Sequence, residues 1–221
     1  MGLKNVAKQA FPAWMIQGLS RAKNTIFGTD FQDILELKPQ ARAGAPVRPD
    51  LRFEAFTSPD ALSVMRAISP LSAAARCAAE KRLAAGDEII IGHVNDTPAF
   101  FAWVAHEVVE ITYGVFRPMP GIVFCYNVFT HPAHRRKGLA NGFYDWLARR
   151  ELAREHPRRI LAGVATDNAP AIAMHEKVGF ARLGAFNTVR LFYLNLTRAR
   201  MPVKDFGRFY LSVADRCFCI A

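Results

Sequence analysis

Hydrophobic and polar residues alternate along the chain with two distinct periods. Residues 51–56 alternate with a period of two, which predicts a half-buried strand. Residues 88–94 and 98–108 flank Asn95-Asp96, a pair that favours the tight turn of a β-hairpin. Further strands are predicted at 122–129, 159–166, 180–185 and 189–196.

Helical patterns lie between these strands. Two Ser-Pro pairs, at 58–59 and 69–70, each join a capping residue to a proline suited to the first helical turn. Both pairs are predicted to open a helix, and the second helix is predicted to end before Gly86. Apolar residues three and four positions apart predict a third helix over 139–155, and a last helix is predicted over 168–178.

The resulting order is a strand, two helices, three strands, a helix, a strand, a helix and two strands. It predicts one domain of the α+β class, with a mixed sheet, at residues 51–197. Residues 1–50 are predicted to form a basic extension that ends in a proline-containing linker. Residues 198–221 form a C-terminal tail in which 209–213 is a candidate strand.

Composition narrows the function classes. A chain of 221 residues suffices for one domain with a full core. The net charge of +10, from 29 Lys and Arg against 19 Asp and Glu, favours anionic partners. No apolar run approaches the roughly 18 residues of a bilayer span. The four cysteines lack the spacing of a metal site, so we expect a cytoplasmic protein without a metal.

The most informative segment is 127–142. Its apolar strand is stopped at Pro132, because proline has no N–H for a strand ladder. Three cations at 135–137 precede Gly138 and the start of a helix with small side chains. A helix start carries unpaired N–H groups and a partial positive charge, so this loop is predicted to bind an anion such as a pyrophosphate.

Two common nucleotide-binding loops do not fit this segment. A Walker A loop needs Ser or Thr after Gly-Lys, whereas here Lys137 precedes Gly138 and Leu139 follows. A dinucleotide-binding loop needs a third glycine, which this segment lacks at the required place.

The pattern Arg135-x-x-Gly138-x-Ala140 instead resembles the pyrophosphate loop of the GNAT superfamily of CoA-dependent N-acyltransferases. A second segment, from Asn168 to Phe180, is similar to the family's next motif, which has Asn, a small residue three positions later and a Lys-x-Gly-Phe end. Both segments occur in the family's order, with a helix and a strand between them.

The resemblance implies a GNAT-like fold and transfer of an acetyl or other acyl group from acyl-CoA to a primary amine, by direct attack in a ternary complex. The acceptor amine would belong to a small molecule or a peptide. The pantetheine arm and the acyl oxygen would be held at Val128, Phe129 and Thr130, and the arm also at Asn168. The pyrophosphate would be held at Arg135, Arg136, Lys137, Gly138, Leu139, Ala140 and Asn141.

Two positions depart from the family's pattern. His175 stands where a tyrosine commonly protonates the CoA thiolate, and an imidazole that titrates near neutrality can do the same. Gly163 stands where many members carry a glutamate, so the general base is expected elsewhere. The candidate bases are Glu107 and Glu110, with Tyr126 and His131 as further options.

Three alternatives stay open. An acidic acyl carrier protein would suit the basic chain and would deliver longer acyl groups. A non-catalytic CoA-binding regulatory module fits the missing glutamate and tyrosine. A nucleic-acid binder would use the basic N-terminal arm, but no specific nucleic-acid motif is present. The residues do not fix the acceptor or the oligomeric state, for which a homodimer is one option.

Overall fold

Ten strands form a single sheet, and α-helices cover both of its faces. The computed structural model describes residues 27–42, 44–46, 48–106, 109–111, 114–116, 121–191, 194–200, 209–213 and 216–220. The strands are β1 (Phe27–Leu37), β2 (Leu51–Phe56), β3 (Glu88–Val94), β4 (Thr97–Ala105), β5 (Val109–Ile111), β6 (Gly114–Phe116), β7 (Ile122–Thr130), β8 (Arg159–Ala165), β9 (Ala181–Leu191), β10 (Leu194–Arg200), β11 (Phe209–Val213) and β12 (Arg216–Ile220). The α-helices are α1 (Ala61–Ile68), α2 (Ala73–Ala84), α3 (Leu139–Leu152) and α4 (Ala169–Val178).

The strands follow the order β12-β11-β10-β9-β1-β8-β7-β4-β3-β2 across the sheet, and β5 and β6 pair separately. Among the described strands, β7 and β8 form the one parallel pair. The predicted α+β class and the predicted order of elements from β2 to β10 are confirmed. The hairpin turn between β3 and β4 is also confirmed, since Asn95 and Asp96 both have positive φ, 46° and 64°.

Two helix pairs sandwich the sheet. On one face, Met65 of α1 and Leu83 of α2 are buried in one cluster with Trp103. On the other face, Phe143 of α3 and Val178 of α4 are buried in a second cluster with Phe100. Each such side chain contributes about 1.5–3 kcal/mol by its removal from water. Burial on both faces explains why the central strands are nearly continuous apolar runs.

The strand β1 was not predicted, because it lies in the segment assigned to a basic extension. It pairs with β8 on one side and with β9 on the other, and it buries Ile34 and Leu37. Its Asp33 and Glu36 interrupt the apolar pattern in the sequence. In the sheet, these carboxylates form ion pairs with arginines of the neighbouring strands. The segment therefore contributes a central strand to the sheet.

The predicted starts of the first two helices were wrong, although both helices are present. The first Ser-Pro pair forms a turn, and α1 begins at Ala61. Ser69 is extended because the residue before a proline is excluded from the helical region. The second helix begins after Ser72, whose hydroxyl accepts a hydrogen bond from the Ala75 N–H at 3.2 Å.

The remaining differences concern one strand end and strands that were not predicted. The strand β4 ends at Ala105 rather than at 108. The short hairpin of β5 and β6 was not predicted. The candidate strand at 209–213 is present as β11, and β12 was not predicted. The longest helix in the described part of the chain has 14 residues, and none of its helices has the length and apolar character of a membrane span.

Candidate active site

The parallel strands β7 and β8 separate part-way along their length. Their shared ladder ends at Cys125 and Ala162. Beyond this point β7 continues to Thr130 in pairing with β4, while β8 continues to Ala165 in pairing with β1. The facing edges of the two strands therefore open into a cleft, where backbone groups can bind a ligand.

A β-bulge lies on β7 at the start of this cleft. The β4–β7 register shifts so that two residues, Asn127 and Val128, oppose Ala102. Asn127 has φ of 48°, in the left-handed region, and its side chain is exposed. A bulge of this kind turns the strand and redirects its side chains, which is common beside binding sites.

The loop after β7 turns directly into α3. Arg136 and Gly138 both have left-handed φ, 60° and 78°. The first hydrogen bond of the helix runs from the Gly142 N–H to the Gly138 carbonyl at 2.9 Å. The N–H groups of residues 139–141 come before the first hydrogen bond of the helix, so they are available to an anion. The side chains at 135–137 beside them are exposed cations.

Gly138 cannot be replaced there without strain. A Cβ at this position would lie 2.9 Å from Nη1 of Arg48, and its left-handed φ disfavours other residues. The same Nη1 donates a hydrogen bond to the Lys137 carbonyl. Arg48 comes from the predicted linker and is also paired with Asp50. Sequence reasoning missed this contact with the loop.

Arg135 connects the loop to the end of β7. Its Nε donates to the Thr130 carbonyl at 3.3 Å, and its guanidinium lies 5.9 Å from the centre of the Phe129 ring. These contacts hold the loop against the cleft.

The residues expected to bind CoA meet at one edge of the sheet. The parallel strands β7 and β8 both run towards this edge, so the end of β7, the start of α3 and the start of α4 share it. Asn168 caps α4, because its side chain accepts a hydrogen bond from the Ala171 N–H at 3.2 Å. Its side-chain N–H₂ group can still donate to a ligand.

A cavity of about 390 Å³ lies between α1, α2 and the strands β4 and β7. Its aromatic wall includes Phe101, Trp103 and Phe129, and Arg82 of α2 also lines it. The bulge residues Asn127 and Val128 complete the wall on the β7 side. The cavity therefore reaches the strand end at the cleft.

A buried carboxylate is connected to this cavity through Tyr126 and Trp103. The Tyr126 ring stacks on Trp103 at 6.2 Å, and its hydroxyl donates a hydrogen bond to Asp87 Oδ2. Asp87 is 2% exposed. Sequence reasoning missed this residue, because Gly86-Asp87 after a helix has the pattern of an ordinary turn.

A second cavity, of about 330 Å³, lies on the other face of the sheet. Its described lining comes from the linker, β2 and α3, and includes Arg48, Phe53 and Trp146. It approaches the loop through Arg48 but includes no described residue of the cleft strands, so the first cavity is the better candidate for an acceptor site.

His175 lies in the core between α3 and α4. Its Nε2 is 2.8 Å from the Tyr144 hydroxyl, and its Nδ1 is 2.8 Å from the Ala171 carbonyl oxygen. Burial lowers the pKa of His175 below its ordinary value, against a smaller opposing effect of the Ala171 hydrogen bond. Burial likewise raises the pKa of Tyr144 well above its ordinary value. The proton-donor role of His175 stays a prediction, and donation would need one of these bonds to open.

Among the residues that the structure describes, none of the expected general bases is seen free at the site. Glu107 lies outside the described residues, and for Glu110 in β5 the structure describes the backbone alone. Tyr126 is held by Asp87, and the ring of His131 accepts a hydrogen bond from the Ala133 N–H at 3.4 Å.

The comparison with protein families identifies this arrangement. The model of the acetyltransferase (GNAT) family matches residues 69–180, just over half of the chain. The chain belongs to the GNAT family. The matched region runs from the end of α1 to Phe180 and contains the bulge, the loop and α4. Family membership makes acyl transfer from acyl-CoA to an amine its general activity. No curated protein matches the chain.

Solved structures share the fold at low sequence identity. A functionally unknown conserved protein from Staphylococcus epidermidis has a TM-score of 0.54 at 10% identity, with 82% of this chain and 68% of that chain covered. A Drosophila protein has a TM-score of 0.50 at 14% identity, with 80% and 56% covered. A tandem GNAT protein from the clavulanic acid biosynthesis pathway has a TM-score of 0.50 at 18% identity, with 80% and 58% covered. The chain thus spans little more than half the length of the last two.

Proposed function

We propose that the protein is an N-acyltransferase that transfers an acetyl or longer acyl group from a CoA thioester to a primary amine bound in the aromatic cavity. One observation carries this proposal. Residues 127–129 of the β7 end line the cavity, and the same strand leads through Thr130 into the cationic loop. A thioester carrier held at the loop can therefore present its acyl group to the cavity.

The loop supplies two kinds of contact for the CoA diphosphate. The N–H groups at 136–141 and the helix start offer hydrogen bonds and a partial positive charge. The side chains of Arg135, Arg136 and Lys137 add full charges at the surface. Gly138 permits the left-handed turn of this loop, which other residues rarely adopt.

The end of β7 supplies contacts for the remainder of the carrier. Val128, Phe129 and Thr130 form the end of β7 beside the cleft, where backbone groups that are not used by β4 can hold the pantetheine arm and the acyl oxygen. Asn168, across the cleft at the start of α4, can donate to the arm. An N–H aimed at the acyl oxygen stabilises the negative charge that develops there during attack.

The transfer itself exchanges one bond for another. The neutral amine nitrogen attacks the acyl carbon, an amide bond forms and the carbon–sulfur bond breaks. The amine gives up one proton, and the departing thiolate takes up one. Asp87, held by Tyr126 beside the cavity, is a candidate acceptor of the amine proton together with Glu107 and Glu110. An amine that arrives neutral needs no dedicated base.

Free-thiol release tests the proposal. Purified protein is mixed with acetyl-CoA, longer acyl-CoAs or an acylated carrier protein, and with a panel of primary amines. We expect thiol release that depends on both the amine and the protein. Tight CoA binding without thiol release for any amine would instead favour the non-catalytic regulatory module. Thiol release with the acylated carrier protein but not with acyl-CoA would favour a carrier-dependent N-acyltransferase.

A further inference from the structure

Arg82 reaches from α2 into the aromatic wall of the cavity. Its Cζ atom lies 5.4 Å from the centre of the Trp103 ring and 5.1 Å from that of Tyr126. A guanidinium that stacks on rings uses its flat faces for this contact. In such a contact the N–H groups lie in the plane of the guanidinium, so its terminal N–H₂ groups can bind an anion.

No described residue neutralises this guanidinium. No carboxylate in the described part of the chain lies within ion-pair distance of Arg82, and its buried Nε–H has no acceptor there. Two arginines elsewhere on the helices are paired, Arg76 with Glu80 at 2.9 Å and Arg150 with Glu88 at 2.6 Å. Holding a partly buried cation without a partner costs free energy, which a ligand anion would recover.

The other walls of the cavity define the rest of the ligand. Met65 and Leu71 on the α1 side and Phe101 and Phe129 on the strand side are apolar. The volume of about 390 Å³ lies at the lower end of the range of about 300–1,000 Å³ typical of small-molecule sites. These walls suit a compact ligand with an apolar or aromatic side chain.

We infer that the acceptor is an amine that also carries a carboxylate, of the size of an aromatic amino acid, and that Arg82 binds this carboxylate. The inference rests on the proposed function. With the carboxylate at Arg82 and the side chain against Phe101 and Phe129, the amine faces the strand end at Asn127. That strand end is where the acyl group is proposed to lie.

The first test compares two amines that share a ring and differ in the carboxylate, L-phenylalanine and 2-phenylethylamine. We expect wild-type protein with acetyl-CoA to favour L-phenylalanine by about 10- to 100-fold in kcat/KM. Arg82→Gln should remove this preference, and Arg82→Lys should keep part of it. Arg76→Gln, an exposed arginine on the same helix, serves as the matched control and should change nothing.

A binding test separates this inference from the proposed function. Calorimetry without acyl-CoA compares N-acetyl-L-phenylalanine with its neutral amide, N-acetyl-L-phenylalaninamide. We expect the acid to bind at least about 10-fold more tightly to wild type and equally to Arg82→Gln. This preference without any thiol release would refute the proposed function and leave the anion site standing. Equal binding of acid and amide to wild type, no binding of either, or a preference that survives Arg82→Gln would overturn the inference. If Arg82→Gln does not fold, as shown by its melting temperature, Arg82→Lys and the wild-type comparison decide.

Discussion

The Tyr144 hydroxyl donates a hydrogen bond to Nε2 of His175, across 2.8 Å of buried core. The direction of this bond follows from the other ring nitrogen. Nδ1 faces the Ala171 carbonyl at 2.8 Å, which can only accept, so Nδ1 carries the proton. With the pKa of His175 lowered by burial, the ring is neutral near pH 7 and Nε2 is an acceptor.

Removing either partner leaves the other unsatisfied in the core. We expect His175→Phe to lower the free energy of unfolding by about 1–3 kcal/mol, because the Tyr144 hydroxyl loses its acceptor. In the double variant with Tyr144→Phe, the cost should be smaller than the sum of the single costs. Urea denaturation of the four proteins measures this coupling, and strictly additive costs would contradict it.

Kinetics separates a catalytic His175 from a structural one. If the imidazole protonates the thiolate, His175→Phe lowers turnover more than CoA affinity and alters the pH–rate profile. Tyr144→Phe serves as the control, since it disturbs the same core but keeps the imidazole. An unaltered pH–rate profile in His175→Phe would refute the proton-donor role.

Gln32 of β1 occupies the space above Gly163. A Cβ at Gly163 would lie 2.8 Å from Gln32 Oε1 and 3.0 Å from Cζ of the buried Phe124 ring. We expect Gly163→Ala to cost about 1–3 kcal/mol of stability through this crowding. In a Gln32→Ala background the cost should be smaller. Gly44→Ala is the control, because a Cβ at Gly44 would have nothing within 4 Å. It should change the free energy of unfolding by no more than about 0.5 kcal/mol.

A glutamate at position 163 would meet the same crowding. The strand β1 places the Gln32 amide within 2.8 Å of a Cβ at that position. If Gly163→Ala lowers stability by the same amount with and without the Gln32 side chain, another neighbour causes the crowding.

The low pKa of Glu88 predicts that the folded protein loses stability in acid. Burial raises the pKa of Glu88, but hydrogen bonds from His106 and Arg150 outweigh it and lower the pKa to about 2. Because the pKa of Glu88 is lower in the folded state, its carboxylate stabilises the folded protein above pH 4.5. This stabilisation is lost as the pH falls from 4.5 towards 2. The stability difference between wild type and Glu88→Gln should therefore shrink between pH 6 and pH 3 in chemical denaturation.

The exposed residue Glu80, paired with Arg76, provides the control for this experiment. Glu80→Gln should change stability by less than about 1 kcal/mol at either pH. A wild-type advantage over Glu88→Gln that is constant with pH would show that the ion pair with Arg150 is not the source.

The elements that the sequence predicted are those encoded locally. The turn at Asn95-Asp96, the loop around Gly138 and the cap at Asn168 each depend on a few adjacent residues, and each is in place. The strand ends and helix starts were less accurate, because several residues compete for each cap. At the second helix Ser72 caps where Ser69 was expected.

The relationships that sequence patterns missed join distant parts of the chain. Arg48 bonds to the loop from 89 residues away, and Asp87 bonds to Tyr126 across 39 residues. Arg82 meets its aromatic partners only when α2 packs on β4 and β7. Periodicity identifies which face of an element is buried, but it does not identify the partner on the other side.

The anion-binding loop is the basis of the whole account, and CoA binding to Gly138→Asp tests it most directly. A carboxylate at this position would add a negative charge beside the proposed phosphate site and would compete for Arg48, so we expect the Kd of CoA, measured by calorimetry, to rise by about 100-fold or more. Gly121→Asp is the matched control, because Gly121 also has a left-handed φ, 87°, and has nothing within 4 Å. The account predicts that Gly121→Asp binds CoA like wild type. A folded Gly138→Asp variant with unchanged CoA affinity would contradict the account.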